Sequence, residues 1–306
     1  MEKRRFGNTD MEVSVLGFGG AEIGYQGATE KDVAALFESA LGAGLNVIDT
    51  AECYMNSEEL IGNTLSHRRH EYYLFTKCGH ASGMKGADWD PAMLALQIDR
   101  SLQRLKTDYV DVIHLHSCTE EILKQGAVIE VLQRAKEAGK TRYIGYSGDG
   151  KAALFAVKSG LFDSLETSVN IADQEGIDLT IPKAIEQGMG VIAKRPIANA
   201  AWRSGSLPAD EYARPYYHRL QDLNYDFLNG NVSDSIARAL RFTLSVPGVD
   251  TAIVGTAKPE RYRENVEMAA RGPLSTDDYQ SIRSRWHEVA NSPKSMKPID
   301  QRASLK

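Results

Sequence analysis

Eight candidate strands alternate with amphipathic helices along this 306-residue chain and predict a (β/α)₈ TIM barrel, built as a single domain over residues 1–306. The alternation alone also fits an open doubly wound sheet. Two further observations favour the closed barrel. Four polar side chains follow three successive strands where each strand ends, as at the active face of a barrel. The glycine fingerprint of an open dinucleotide-binding sheet is also incomplete.

The strands are predicted from short apolar runs that are rich in β-branched residues. The segments between them carry apolar residues at helical spacing, and Thr29 and Ser233 stand at predicted helix N-caps. In chain order the predicted strands are Val13–Leu16, Asn46–Thr50, Tyr73–Lys77, Val110–His116, Tyr143–Ser147, Ser164–Asn170, Gly190–Arg195 and Thr251–Gly255.

The first glycine-rich stretch, residues 17–22, begins like the motif G-x-G-x-x-G, but Glu22 stands where the third glycine is required. We therefore expect its glycines to form a tight turn in the first loop. The last barrel unit offers another way to hold a dinucleotide. Gly255 and Thr256 lead into a helix at Pro259, whose free backbone N–H groups and dipole can bind a phosphate.

Composition excludes several classes of function. The net charge of -5 and the pI near 5.9 argue against a nucleic-acid-binding protein. No apolar run approaches the roughly 20 residues of a membrane span, and no signal-peptide core is apparent, so we expect a cytoplasmic protein. No motif fixes the oligomeric state.

The three cysteines are too few for a disulfide framework. Cys53, Cys78 and Cys118 each follow a predicted strand end, and we interpret them as reduced thiols that fill small pockets. The alternatives are an oxidation-sensitive site or a metal site shared with His80 or His114. Their spacings match no zinc motif, so no metal is predicted.

The four polar residues at the strand ends point to proton chemistry. Asp49 and Tyr54 follow the second strand, Lys77 ends the third and His116 ends the fourth. The carboxyl ends of barrel strands meet at one face, so these side chains should converge. A phenol has a pKa of about 10, and a nearby cation such as Lys77 would make it a better proton donor.

This order of residues resembles the aldo-keto reductase family. Further stretches carry the resemblance, they fall in family order, and they cover about the first 270 residues. They are Val15-Leu16-Gly17-Phe18-Gly19, Asp49-Thr50-Ala51-Glu52-x-Tyr54, Glu58-Glu59-Leu60-Ile61-Gly62, Thr76-Lys77, Leu115-His116, residues 139–147, Gly255-Thr256 and Glu264-Asn265.

The resemblance implies an NADPH-dependent oxidoreductase that reduces an aldehyde or ketone to an alcohol. Hydride would come from the nicotinamide and the proton from Tyr54. Lys77 would lower the pKa of Tyr54, Asp49 would hold Lys77 charged, and His116 would aim the carbonyl.

The resemblance also implies a set of coenzyme-binding residues. Arg261, which can hold a phosphate with two hydrogen bonds, matches the position that grips the adenosine 2′-phosphate and favours NADPH over NADH. The implied set is Ser147, Glu166, Asn170, Lys194, Arg195, Pro196, Gly255, Thr256, Lys258, Arg261, Glu264 and Asn265.

Two departures from the family pattern introduce charge. Glu166 occupies a glutamine position, and Lys194 occupies the position of the aromatic ring that stacks on nicotinamide. Because their predicted strands are neighbours, we predict that the two form an ion pair that replaces the ring. The alternative is that Lys194 reaches solvent. If the pair does not form, a cation near the nicotinamide would disfavour the positively charged oxidised coenzyme and speed its release.

The substrate wall is predicted from three side chains. Tyr25 and Trp89 lie in the first and third loops, and His114 faces the same side of its strand as His116. The stretch from about 197 to 230 shows no clear periodicity and is interpreted as a lid, with an ordered surface loop or a subunit contact as alternatives. Residues from about 292 to 306 are predicted to form a tail.

Two other functions stay open at the level of sequence. One is an NADPH-binding sensor or regulatory subunit with little turnover. It would suit the changes at Glu166 and Lys194 and at Gly148, which stands where the family commonly has an asparagine. The other is a metal-dependent hydrolase that uses His114, His116 and the cysteines. Turnover of an aldehyde distinguishes the reductase from the sensor, and stoichiometric metal would indicate the hydrolase.

Overall fold

The computed structural model describes residues 1–290, and in it eight parallel strands close into a barrel surrounded by helices. The predicted (β/α)₈ fold is confirmed. The strands are β1 (Lys3–Arg5), β2 (Glu12–Ser14), β3 (Leu16–Gly19), β4 (Val47–Asp49), β5 (Tyr73–Cys78), β6 (Val110–His116), β7 (Thr141–Ser147), β8 (Ser164–Ser168), β9 (Gly190–Lys194) and β10 (Thr251–Gly255). Strands β3 to β10 form the barrel in chain order, and β10 closes it against β3.

Helices follow most barrel strands and cover the outside of the barrel. The α-helices are α1 (Ala21–Tyr25), α2 (Glu30–Gly42), α3 (Ser57–Leu65), α4 (Pro91–Leu105), α5 (Glu120–Gln125), α6 (Ala127–Glu137), α7 (Gly150–Ser159), α8 (Glu175–Leu179), α9 (Ile181–Glu186), α10 (Arg214–Leu223), α11 (Val232–Leu244), α12 (Pro259–Ala270) and α13 (Thr276–Ala290). Short 3₁₀ helices span Ser66–Glu71, Ala198–Ala200 and Asp226–Asn229. Within residues 1–290, none of these helices combines the length and apolar character of a membrane span.

Alternation along the strands sorts the barrel interior into an apolar and a polar layer. Side chains two apart on a strand face the same side, so the interior set of β5 contains both Phe75 and Lys77. The apolar layer lies toward the amino ends of the strands and contains Val47, Phe75, Val112, Ile192 and Ile253. One step further along the same strands come Asp49, Lys77, His114 and Lys194. The polar layer is therefore held directly above a packed apolar floor.

The first barrel strand differs from the prediction. Residues 13–16 are divided between β2, which pairs antiparallel with β1, and the start of β3. The hairpin places Phe6, Met11 and Val13 against the apolar layer, where they close the amino end of the barrel. Gly17 and Gly19, predicted in a turn, lie in β3 instead. A Cβ on Gly17 would approach Ile253 and Val47 to 3.1 Å, so a glycine fits this crowded position.

Two other sequence predictions are corrected. The stretch predicted as an irregular lid contains α10, whose buried residues Tyr216, Arg219, Leu220 and Leu223 follow helical spacing. Helix α11 is capped by Asn231, not Ser233, because the Asn231 side chain accepts from two backbone N–H groups. The Thr29 cap is confirmed. The tail predicted from about 292 lies outside the described residues.

Candidate active site

The polar layer is centred on Lys77, whose side chain is completely buried. Its ammonium donates to the carboxylate of Asp49 and, at 3.0 Å, to the backbone carbonyl of Thr50. Burial alone would lower the pKa of Lys77, but Asp49 and Glu166 raise it above its ordinary value. Lys77 is therefore a fixed cation at the carboxyl end of β5.

Tyr54 lies in the loop after β4, beside Lys77. The Lys77 Nζ atom is 5.5 Å from the centre of the Tyr54 ring. Burial raises the pKa of Tyr54 above its usual value, and Lys77 offsets only part of that rise. The net lowering expected from the sequence is thus not seen, and Tyr54 remains a protonated phenol.

His116, at the end of β6, completes the set predicted as catalytic. Its ring meets the Tyr54 ring edge-on with 5.7 Å between centres. Burial lowers the pKa of His116 well below its usual value, and Lys77 and His80 lower it further. The imidazole is therefore neutral and can donate one hydrogen bond to a bound oxygen. The structure brings Asp49, Tyr54, Lys77 and His116 together at one face of the barrel.

The predicted ion pair between Glu166 and Lys194 is wrong. The Glu166 carboxylate, on β8, lies 3.2 Å from Lys77 Nζ. The Lys194 ammonium, on β9, lies 3.3 Å from the carboxylate of Asp149. Strand register explains the outcome, because Glu166 pairs with Ile192 and Lys194 lies one step higher, beside Ser168. Glu166 therefore belongs to the Lys77 cluster.

Asp149 was not among the residues predicted from the sequence. It binds residues at the carboxyl ends of β8 and β9. It accepts from the backbone N–H of Ser168 at 2.7 Å and from the Thr167 hydroxyl at 2.8 Å. Burial would raise the pKa of Asp149, but Lys194 and Arg195 lower it to about 2. One signal could have found it: Asp149 follows strand β7 and precedes α7, the position where barrel sites gather residues.

His114 lies below the rim and not in the substrate wall where it was predicted. Its side chain is fully buried, and its Nε2 atom is 3.0 Å from the Ser164 hydroxyl. Gly145 makes room for it, since a Cβ there would come within 2.3 Å of the His114 ring. Burial lowers the pKa of His114 to about 4, so this ring is neutral.

The other two predicted substrate residues lie at the mouth. The Tyr25 ring is 6.0 Å from the Tyr54 ring, and its hydroxyl donates to the Cys53 carbonyl at 3.3 Å. Trp89 contacts His80 with 5.3 Å between ring centres. His80 in turn lies 5.1 Å from His116, ring centre to centre. His80 was not among the predicted substrate residues. Its ring lies between Trp89 and His116 and contacts both.

The residues predicted to hold the nicotinamide half of a coenzyme occupy the neighbouring strand ends. The Ser147 hydroxyl is buried without a hydrogen-bond partner, which leaves it free for a polar ligand group. Asn170 donates to the backbone carbonyl of Arg195 at 3.0 Å and fixes the turn before Pro196. Arg195 donates to the Ser168 hydroxyl at 3.1 Å.

The residues predicted to hold the phosphates and the adenosine half of the coenzyme surround the start of α12. Thr256 is buried and its hydroxyl accepts from the Lys258 backbone N–H at 3.1 Å. Among residues 1–290 no side chain caps this helix, so its first N–H groups are available for a phosphate. Lys258, Arg261 and Glu264 are exposed, and Asn265 is buried. Gly255 contacts the side chain of Glu22, which leaves no room for a Cβ at Gly255.

The cysteines and potential metal ligands do not form the metal site considered from the sequence. Cys78 and Cys118 are buried in the apolar core, whereas Cys53 Sγ lies 3.3 Å from His116 Nδ1. Within residues 1–290, potential metal ligands gather at Asp49, His114 and Glu166, without a cysteine. The ammonium of Lys77 already lies among these groups.

Comparison with known proteins identifies the family of the chain. The family model described as "Aldo/keto reductase family" matches residues 15–287. The uncharacterized oxidoreductase YqkF of Bacillus subtilis is 28% identical over 93% of this chain and 96% of its own. The L-galactose dehydrogenase of Arabidopsis thaliana is 29% identical over 87% of each chain.

A solved structure supports the same assignment. The aldo-keto reductase AKR11C1 from Bacillus halodurans, in its holo form, is 27% identical and superimposes with a TM-score of 0.78. The match covers 93% of this chain and 96% of that one. The chain therefore belongs to the aldo/keto reductase family of oxidoreductases, which use nicotinamide cofactors and act on small molecules.

Proposed function

We propose that this protein is an NADPH-dependent reductase that converts the carbonyl of an aldehyde or ketone to an alcohol, with Tyr54 as the proton donor. One observation carries the proposal. Tyr54 lies between a buried cation, Lys77, and a neutral imidazole, His116, at the face of the barrel where strand ends converge. That arrangement suits the delivery of a proton to an oxygen on which negative charge develops.

Each residue has a role that follows from its surroundings. The high pKa of Tyr54, caused by burial, keeps the phenol protonated until a negative oxygen forms beside it. Lys77 then stabilises the phenolate that proton transfer leaves behind, and Asp49 holds Lys77 in place. The neutral ring of His116 donates a hydrogen bond to the same oxygen and so orients the carbonyl.

The residues around the rim fit a nicotinamide dinucleotide. NADPH, when bound, supplies the hydride that the carbonyl carbon accepts. The unpartnered hydroxyl of Ser147 would hold the carboxamide, and Glu166 and Asn170 would lie nearby. Thr256 and the uncapped start of α12 would hold phosphate, with the exposed cations Lys258 and Arg261 at the 2′-phosphate. We expect NADPH to bind more tightly than NADH because of those two cations.

The experiment is NADPH consumption with a panel of small aldehydes and diketones, by the wild type and by Tyr54→Phe. We expect turnover in the wild type and a loss of roughly 10²- to 10⁴-fold in the variant, the usual contribution of a positioned general acid. NADPH affinity should be nearly unchanged, since the variant removes one hydroxyl. Lys124→Met, at an exposed lysine, is the control that should keep full activity.

One observation favours a second function, an NADPH-binding sensor. Lys194 stands where the resemblance implies a stacking ring, and it is fixed to Asp149. Tight NADPH binding with no turnover of any carbonyl in either protein would select the sensor and contradict the reductase.

A further inference from the structure

The Lys77 cluster contains one carboxylate more than its cations require. The ammonium of Lys77 contacts both Asp49 and Glu166, and these two carboxyl side chains are 1% and 2% exposed. Two carboxylates with a single ammonium would leave one net negative charge in a dry interior. An uncompensated buried charge is costly, and a protein normally removes it by binding a proton.

The hydrogen bonding of the cluster indicates where that proton would lie. Within residues 1–290, Asp49 Oδ1 is buried without a hydrogen-bond partner, and the buried Glu166 Oε2 faces the Lys77 ammonium at 3.2 Å. Ligand atoms of Asp49, Glu166 and His114 all lie within 4.8 Å of one another. As two carboxylates, Asp49 and Glu166 can only accept, so neither can satisfy the other. A proton on one of them converts it into a donor.

We propose that Asp49 and Glu166 share one proton at neutral pH and that this proton is returned to Tyr54 through Lys77 after each reduction. The second part of this inference rests on the proposed function, whereas the first part does not. Glu166 would then be a positioning residue for the acid, in addition to its place near the coenzyme.

The groups that face the pair support a shared proton. Lys77 projects from β5, His114 from β6 and Lys194 from β9, and Tyr54 lies in the loop after β4. His114 is neutral, because burial lowers its pKa to about 4, so it cannot balance the extra carboxylate. Lys194 lies 3.3 Å from Asp149, which Arg195 also faces, and it is more distant from the pair than Lys77, although it lowers the pKa of Glu166.

The pKa values of the two carboxyl groups are pushed apart, as in other carboxyl pairs that share a proton. Burial, followed by the charge of Glu166, raises the pKa of Asp49 to about 8. Burial would also raise the pKa of Glu166, but Lys77, His114 and Lys194 lower it. The shared proton is thus held on the Asp49 side and donated toward Glu166.

The proton balance of one turnover follows from this arrangement. The Tyr54 O–H bond breaks and the O–H bond of the alcohol forms, which leaves a phenolate. An N–H bond of Lys77 then breaks as the Tyr54 O–H bond reforms. Next, the carboxyl O–H bond of the pair breaks and the Lys77 N–H bond reforms. The pair finally regains a proton from solvent, so one solvent proton is consumed for each alcohol produced.

Infrared spectroscopy tests the shared proton without using activity. The spectrum would be titrated from pH 6 to 10 in the wild type, Glu166→Gln, Asp49→Asn and the exposed control Glu59→Gln. Besides the band of Asp173, whose pKa burial raises to about 7 and which all four proteins should share, we expect a carboxylic-acid carbonyl band of the pair that titrates near pH 8 in the wild type and in the control. The band should be absent from both pair variants, because in each the remaining carboxylate faces Lys77 alone and ionises.

The pH dependence of kcat tests the return of the proton. In the wild type, kcat for reduction should fall as the pH rises through the titration of the infrared band. In Glu166→Gln, kcat at low pH should be lower and that fall should be lost, while KM for the carbonyl stays the same. A fall that persists in Glu166→Gln would overturn the relay.

Three other outcomes are decisive. A band lost in only one of the two pair variants would show an isolated acid and overturn the sharing. A stoichiometric metal found by elemental analysis, with no acid band of the pair, would replace the proton by a cation and overturn it as well. A titrating band of the pair in a protein that reduces no carbonyl would support the shared proton and refute the proposed function.

Discussion

Lys77 and Lys194 lie near the carboxyl ends of two strands of one barrel and project into the same polar layer, yet their surroundings differ. Lys77 is completely buried between two carboxylates, Asp49 and Glu166. Lys194 is 11% exposed and has the carboxylate of Asp149 at 3.3 Å. From this difference we propose that the deeper cation acts on the proton chemistry of Tyr54, and that the outer one acts on the charge of a bound coenzyme.

The largest expected effect separates these two cations directly. Lys77→Met should lower kcat by roughly 10²- to 10⁴-fold, because the phenolate of Tyr54 loses the cation that stabilises it. Lys194→Met, a matched change on a nearby strand, should leave kcat within about tenfold of the wild type. Single-turnover rates of NADPH oxidation measure both. Equal losses in the two variants would show that Lys77 has no role in proton transfer that Lys194 lacks.

A smaller effect tests the proposed action of Lys194 on the charge of the coenzyme. Removing its charge should tighten the binding of the oxidised coenzyme, whose nicotinamide is positively charged, by about fivefold, the equivalent of ~1 kcal/mol between two charges in a wet site. Binding of NADPH, whose ring is neutral, should change less. Isothermal titration calorimetry of Lys194→Met with both coenzymes gives the two affinities. Weaker binding of both would instead indicate that Lys194 holds the coenzyme directly.

The last expected effect is on stability and concerns the two carboxyl groups that contact Lys77. Because the folded-state pKa of Asp49 is raised from 3.8 to about 8, the folded protein holds an extra proton between these pH values. Stability should therefore decline as the pH rises through that window. Glu166→Gln removes the neighbouring charge and should make this decline shallower. Urea unfolding at pH 6 and pH 9 compares the two proteins, and parallel declines would contradict the pairing.

The sequence was sufficient to predict that Asp49, Tyr54, Lys77 and His116 lie close together in the folded protein. The carboxyl ends of the strands in a closed barrel meet at one rim, however the outer helices pack. The positions of Asp49, Tyr54, Lys77 and His116 at the ends of three strands therefore predicted their proximity. The start of α12 at Pro259 was likewise predictable, since proline is favoured in the first turn of a helix.

The partners of the charged residues could not be predicted in the same way. Glu166 and Lys194 have opposite charges on neighbouring strands, but a two-residue difference in register directs one to Lys77 and the other to Asp149. Register follows from packing around the whole barrel, which no local pattern encodes. The same holds for His114, whose burial depends on the space that Gly145 leaves across the adjacent strand.

Helix α10 was missed for a different reason. Its buried face includes Arg219, and a cation at a buried position hides helical periodicity from any reading of apolar residues. The first strand was misplaced because residues 13–16 are apolar enough for either the closing hairpin or the barrel. Only the pairing of β3 with β4 and β10 distinguishes the two.

The proposed role of Tyr54 as the proton donor is tested by the single-turnover oxidation of bound NADPH after mixing with an aldehyde. We expect rapid oxidation in the wild type and a loss of roughly 10²- to 10⁴-fold in Tyr54→Phe, with NADPH bound as tightly as before. Oxidation at the wild-type rate in Tyr54→Phe would contradict this role and require another proton donor at this face of the barrel.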